Sequence, residues 1–142
     1  MNHPADFIEK AAQVTEFFGH WPAFRGSEVI SVFFYRNYPM EPRAQMRLYV
    51  AEKNPGSFLF PRLGKTKQAL LEVEFFDIAN TLFTGFNSLN TLAEIRFLHN
   101  GDILRTEFIP SNGVKIILES RRIRIRSLKK LEEDPKDTLD KF

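Results

Sequence analysis

Residues 17–28 read FFGHWPAFRGSE, and the fold turns on this stretch because the hydrophobic period changes across it. Upstream, apolar residues recur at helical spacing; downstream, they alternate. The stretch itself fits neither pattern. Five of its twelve residues are aromatic, counting His20 with Phe17, Phe18, Trp21 and Phe24. Gly19 and Pro22 interrupt any continuous ladder of backbone hydrogen bonds through it. It reads either as a buried corner or as a site, and Trp21 and Phe24 are candidates for both roles.

Upstream, Phe7, Ile8, Ala11, Val14 and Phe18 form one stripe, with Glu9, Lys10 and Gln13 opposite. Pro4 suits a first helical turn, Asp6 and Glu9 suit its positive end, and Gly19 suits the residue just past its last turn. The spacing predicts one amphipathic helix over 4–18. Downstream, Met46, Leu48 and Val50 alternate with Gln45, Arg47 and Tyr49, and Leu71, Val73 and Phe75 with Glu72 and Glu74. Ala93, Ile95 and Phe97 alternate with Glu94 and Arg96, and Leu104, Thr106 and Phe108 with Arg105 and Glu107. Each is the pattern of a half-buried strand. EVISVFFYR (28–36) is apolar on both faces and reads as a central, doubly covered strand.

HNGD (99–102) and PSNG (110–113) are hairpin turns in which Asn-Gly supplies the positive φ values. TLFTGFNSLNT (81–91) reads as a short strand and then a turn. Such short connections imply antiparallel neighbours. The segment 54–67, with two Pro and two Gly, reads as the long loop. The expected fold class is α+β: an N-terminal amphipathic helix packed on a mostly antiparallel β-sheet or sandwich of about seven to eight strands. A single globular domain is expected over 1–131, followed by an acidic, flexible tail over 132–142.

A chain of 142 residues buries roughly 68–70% of its unfolded surface, so a core suffices without crosslinks. There is no Cys, which fits a reducing compartment. MNHPADFIEK lacks the basic and apolar regions of a secretory signal, and no segment approaches the ~20 apolar residues of a membrane span. The expected location is the cytoplasm, with no membrane partner. A formal net charge of +2 names no partner. Phe occurs 15 times, which leans the chain toward sheet.

Catalytic patterns are missing. His3, His20 and His99 show no metal-ligand spacing, and His20 weighs as a base less than as a structural residue. Glu72/Glu74 and Glu132/Glu133 lack the opposed environments of an acid/base pair. No nucleophile elbow and no phosphate-cradling glycine loop is present. The expectation is a non-enzymatic protein without cofactor or metal.

Two further features are candidate contacts. In ESRRIRIRSLKK (119–130), Ile123 and Ile125 point inward, so Arg122, Arg124 and Arg126 line one face of a strand. Such a row protects an edge, meets an acidic protein surface or binds phosphates. The last option makes a nucleic-acid or small-ligand module the alternative function, although no aromatic platform for bases lies beside the row. In GFNSLN (85–90), Asn87 and Asn90 suit a structural turn or a binding loop.

The W-P-x-F…E segment (Trp21, Pro22, Phe24, Glu28) and the G-F-N-x-x-N segment (Gly85, Phe86, Asn87, Asn90), with FIPSNGVKIILES closing, resemble the immunity proteins of bacterial polymorphic toxin systems. The resemblance is to the immunity protein 50 family and spans residues 14–127. It implies an intracellular, non-enzymatic binder whose partner is a cognate protein toxin domain. Where a His-Asp pair follows the Phe in that pattern, this chain has Arg25-Gly26. A metal or polar role for the pair is therefore not carried over, and Arg25 becomes a candidate ligand for an acidic group on the partner. The candidate partner-binding residues are Trp21, Phe24, Arg25, Glu28, Asn87, Asn90, Arg122, Arg124 and Arg126.

Overall fold

The computed structural model describes residues 3–53 and 66–131. The expected tail, and all of the expected loop but its last two residues, lie outside the described residues; Thr66 and Lys67 already belong to a strand.

The N-terminal stripe is buried, but not on one helix. α1 (Pro4–Phe7) is capped on both sides of His3: the ring Nδ1 accepts from Ala5 N at 3.2 Å, and the backbone N donates to Asp6 at 3.0 Å. It lasts a single turn. Ile8–Glu9 then extends as β1 and pairs in parallel with Ile123–Arg124. Lys10 takes a left-handed φ of 63°, and the chain resumes as α2 (Ala12–Phe18), closed by Gly19 at φ 83°. The continuous helix over 4–18 is thus corrected to two short helices around a two-residue strand. The competing force is a vacant strand edge together with Arg122, which binds the Glu9 carboxylate through two nitrogens at 2.8 and 3.0 Å. Ile8, Ala11, Val14 and Phe18 are all buried regardless.

The remaining strands are β2 (Glu28–Tyr35), β3 (Arg43–Lys53), β4 (Thr66–Phe76), β5 (Asn80–Thr84), β6 (Thr91–Asn100), β7 (Ile103–Asn112), β8 (Lys115–Ser120) and β9 (Arg122–Leu131). They join in one sheet of order β1-β9-β4-β3-β2-β6-β7-β8-β5, antiparallel except at β1–β9. Between β2 and β6 the ladder is a single register pair, Glu28↔Thr91. The sheet folds over at that narrow junction, so the choice between open sheet and sandwich resolves as one sheet doubled on itself. Phe75 of β4 meets Phe108 of β7 edge-on with ring centroids 6.2 Å apart. Leu48, Leu71, Val73 and Ile125 look across at Ile95, Phe97 and Phe108. The alternation in β3, β4, β7 and β9 therefore reports the core face as expected.

Two expectations fail here for local reasons. A bulge between Leu92 and Glu94 turns Ala93 out and Leu92 in. More consequentially, β2 is not doubly covered. It pairs with β3 as far as Tyr35↔Arg43, but β6 leaves its other side at Thr91. Phe33, Phe34 and Tyr35 are exposed at 53%, 46% and 38%.

Candidate functional site

The exposed end of β2 is one wall of an aromatic ridge. Phe34 pairs opposite Ala44, a buried residue, so it lies on the core-side face but beyond the core. Its ring meets Phe83 of β5 edge-on at 5.8 Å, and Phe83 stacks on Phe86 at 6.1 Å. Val29 N donates to Asn90 O at 2.9 Å, which sets exposed Ile30 beside exposed Leu89. On the opposite face Phe33 stacks on Tyr35 at 6.4 Å. Past the strand, Tyr38 is 81% exposed with Arg36 over its ring at 5.4 Å. A monomer seldom leaves this much contiguous apolar surface bare unless it is used.

The GFNSLN loop is built to hold its part of the ridge. Asn90 is buried, and its Oδ1 accepts from Asn87 N at 2.9 Å and Val114 N at 3.2 Å while its Nδ2 donates to Asn87 O at 2.8 Å. Asn87 Oδ1 accepts from Leu89 N at 2.8 Å. The two asparagines thus spend their amides on the loop's own backbone, and the side chains turned outward are Phe86, Ser88 and Leu89. Gly113 beneath has φ +85°, and a Cβ there would lie 2.5 Å from Leu89 O. The loop and the β7–β8 turn touch at backbone distance.

The helix-to-sheet corner places its residues differently. Phe24 is 3% exposed, and half-buried Trp21 packs edge-on against Phe24 and Phe97 at 5.5 and 5.9 Å. Both serve as corner packing. His20 pairs with Glu52, which also accepts from Ala23 N at 2.9 Å, tying the corner to β3. Arg25 is exposed, Glu28 is half-buried, and neither forms an ion pair among the described residues. The Glu28 charge, after burial itself, helps push the Tyr49 hydroxyl above its ordinary pKa.

The arginine row is not a free cationic stripe. β9 lies beside β4, so the outward Arg row abuts the outward Glu row. Arg124 reaches Glu74 at 3.0 Å, Arg126 approaches Glu72 at 3.6 Å, and from β3 Arg47 reaches Glu72 at 2.9 Å and Arg43 reaches Glu74 at 3.5 Å. Arg122 is taken by Glu9 and lies over Phe76 at 4.7 Å. The hydrogen bond from Arg122 holds the Glu9 carboxyl below its ordinary pKa, against a smaller opposing effect of burial. The result is an alternating charge ladder across three strands, with few unpaired cations for a phosphate backbone.

The structure therefore separates the sequence-derived candidates into three places: the corner, the loop and the ladder. It adds Phe33, Phe34, Tyr35, Phe83 and Phe86, none of which stood among the candidate contacts read from the sequence, although Phe86 lies in the G-F-N-x-x-N segment. The signal lay in EVISVFFYR and LFTGF, whose outward positions are as apolar as their inward ones. Among the described residues no group of three or more His, Asp or Glu side chains is placed to hold a metal ion, and no helix is long and apolar enough to cross a membrane. Comparison with protein families matches immunity protein 50 over residues 10–131, and the chain belongs to that family. No curated protein and no solved structure matches the chain.

Proposed function

We propose that the protein is an immunity protein that binds a cognate bacterial toxin inside the cell and neutralises it by occupation, without chemistry of its own. Family membership over residues 10–131 supports the class. The observation that carries the binding role is the bare ridge of Phe34, Phe83 and Phe86, held on one side by a strand and on the other by a loop with a locked backbone. Rigid aromatic anchors of this kind dominate binding energy at protein interfaces. Arg25, unpaired at the corner among the described residues, is a secondary contact, while Asn87 serves by holding the loop that presents Phe86. The ladder of Arg122, Arg124 and Arg126 is a lesser one, because its guanidinium groups already have partners.

The test is affinity capture from nuclease-treated lysate of the cells that make the protein, followed by expression of the captured partner. One stoichiometric protein that arrests growth when expressed alone, and is tolerated when co-expressed, is the expected result. The double variant Phe83→Asp, Phe86→Asp should weaken that complex at least about tenfold. Loss of capture in Arg122→Glu, Arg124→Glu instead would move the contact to the ladder. Retention of nucleic acid alone would sink the toxin reading.

A further inference from the structure

We infer that the pocket at the far end of β2 receives a carboxylate on an apolar stem, and that this group is an acidic side chain of the bound partner. The second half of the inference rests on the toxin reading; the first does not. The pocket has a volume of about 350 Å³ and is lined by Phe34 and Tyr35 of β2, Pro42 and Arg43 where β3 begins, and the chain from Ile78 to Thr81 that leads into β5. It adjoins the ridge through Phe34 but differs from it in holding a charge. Arg43 is the cation in its wall, and no carboxylate lines it among the described residues.

Arg43 is short of acceptors. Its nearest carboxylate, the buried Glu74, is held by Arg124 at 3.0 Å, which leaves Arg43 a contact of 3.5 Å. Its Nε has no acceptor among the described residues. The guanidinium lies over the Tyr35 ring at 4.9 Å. Stacking of that kind uses the face of the group and leaves the N–H donors along its edge for a planar acceptor with two oxygens. The side chain is 33% exposed, so such an acceptor can reach it.

The surroundings select the class of acid. Phe34, Pro42 and Ile78 offer apolar walls to a carbon stem, and a lone cation suits one carboxylate rather than a run of phosphates. The walls are fixed before anything binds. Ile78 N donates to Pro42 O at 3.0 Å, and Ala79 N donates to Glu119 O at 2.8 Å. Binding therefore orders little that is not already ordered.

The first probe is phenylacetate, titrated into the isotope-labelled full chain and followed by NMR, with phenylacetamide as the uncharged control. Phenylacetate should move the guanidinium N–H signals of Arg43 and the backbone amides of Tyr35 and Ile78, saturating with a dissociation constant of about 10 mM, as suits a ligand of its size. Phenylacetamide should leave them in place. Arg43→Met should abolish the saturable response, and Arg47→Met, outside the pocket, should keep it. Glu74 retains Arg124 in Arg43→Met, and circular dichroism checks that the variant folds; the amide control needs no variant at all. Equal shifts from acid and amide overturn the inference, as does an unchanged response in folded Arg43→Met, or no saturable shift up to about 50 mM. The second arm uses the partner captured above, whose dissociation constant Arg43→Met should raise about tenfold. A partner held equally well by both chains overturns its assignment as the source of the carboxylate. A capture that yields no protein breaks the toxin reading, while the phenylacetate arm still decides what the pocket binds.

Discussion

β4 and β2 are both rich in apolar residues, yet one is the most enclosed strand of the sheet and the other is half bare. β4 is paired along its whole length with β3 on one side and from Gln68 to Phe76 with β9 on the other. Its inward Leu71, Val73 and Phe75 are buried, and its outward Glu72 and Glu74 are shielded by arginines from both neighbours. β2 has one full neighbour, and its outward positions are aromatic. The difference teaches that alternation locates the wet face of a strand only where the outward residues are polar. Where both faces are apolar, the same pattern serves a strand covered twice and a strand awaiting a partner.

The largest expected effect lies on the enclosed side. Phe75→Ala removes a fully buried ring that faces Phe108 and should cost about 3–5 kcal/mol in urea denaturation. Phe33→Ala, measured in dilute protein, should stay within about 0.5 kcal/mol of wild type. Comparable losses from both would erase the contrast between the two strands.

A middle-sized effect tests why β2 is bare at all. The chain leaves the lane beside β2 at Asn90, whose amide fixes the turn. Asn90→Ala strands the N–H groups of Asn87 and Val114 and should cost about 1–3 kcal/mol. It should also speed hydrogen exchange at those two amides; unchanged exchange would mean that the turn does not rest on Asn90.

The smallest effect concerns the charged face. The folded pKa of Glu9 lies below its unfolded value, so its contribution is present above the unfolded carboxylate range and lost as pH falls through the folded value. Glu9→Gln should flatten the acid limb of the stability profile below about pH 4. The exposed pair with Arg122 should be worth no more than about 1 kcal/mol. An unchanged acid limb would assign the pair no role in docking β1.

Much of the fold was legible because its cues are local. The hairpin at HNGD forms where Asn-Gly sits, and β6 and β7 pair from Asn100↔Ile103 outward. The stripe from Ile8 to Phe18 announced a buried face. It did not announce the break at Lys10, because what draws Ile8 and Glu9 into a strand is Ile123–Arg124, more than a hundred residues away. The arginine row and the glutamate row were each visible, but their neutralising contact depends on the β4–β9 register, which no short window contains. The candidate site was the least legible part. GFNSLN drew attention to its asparagines, which are framework, while the phenylalanines around it looked like ordinary core.

That division within one loop has an evolutionary consequence. Gly85, Asn87, Asn90 and Gly113 fix the path of the chain through backbone contacts, whereas Phe86, Ser88 and Leu89 project from it and contribute little to holding it. Positions 86, 88 and 89 can drift without disturbing the frame, so under the binding role proposed above the presented surface can be rewritten while the stability of the loop is left alone.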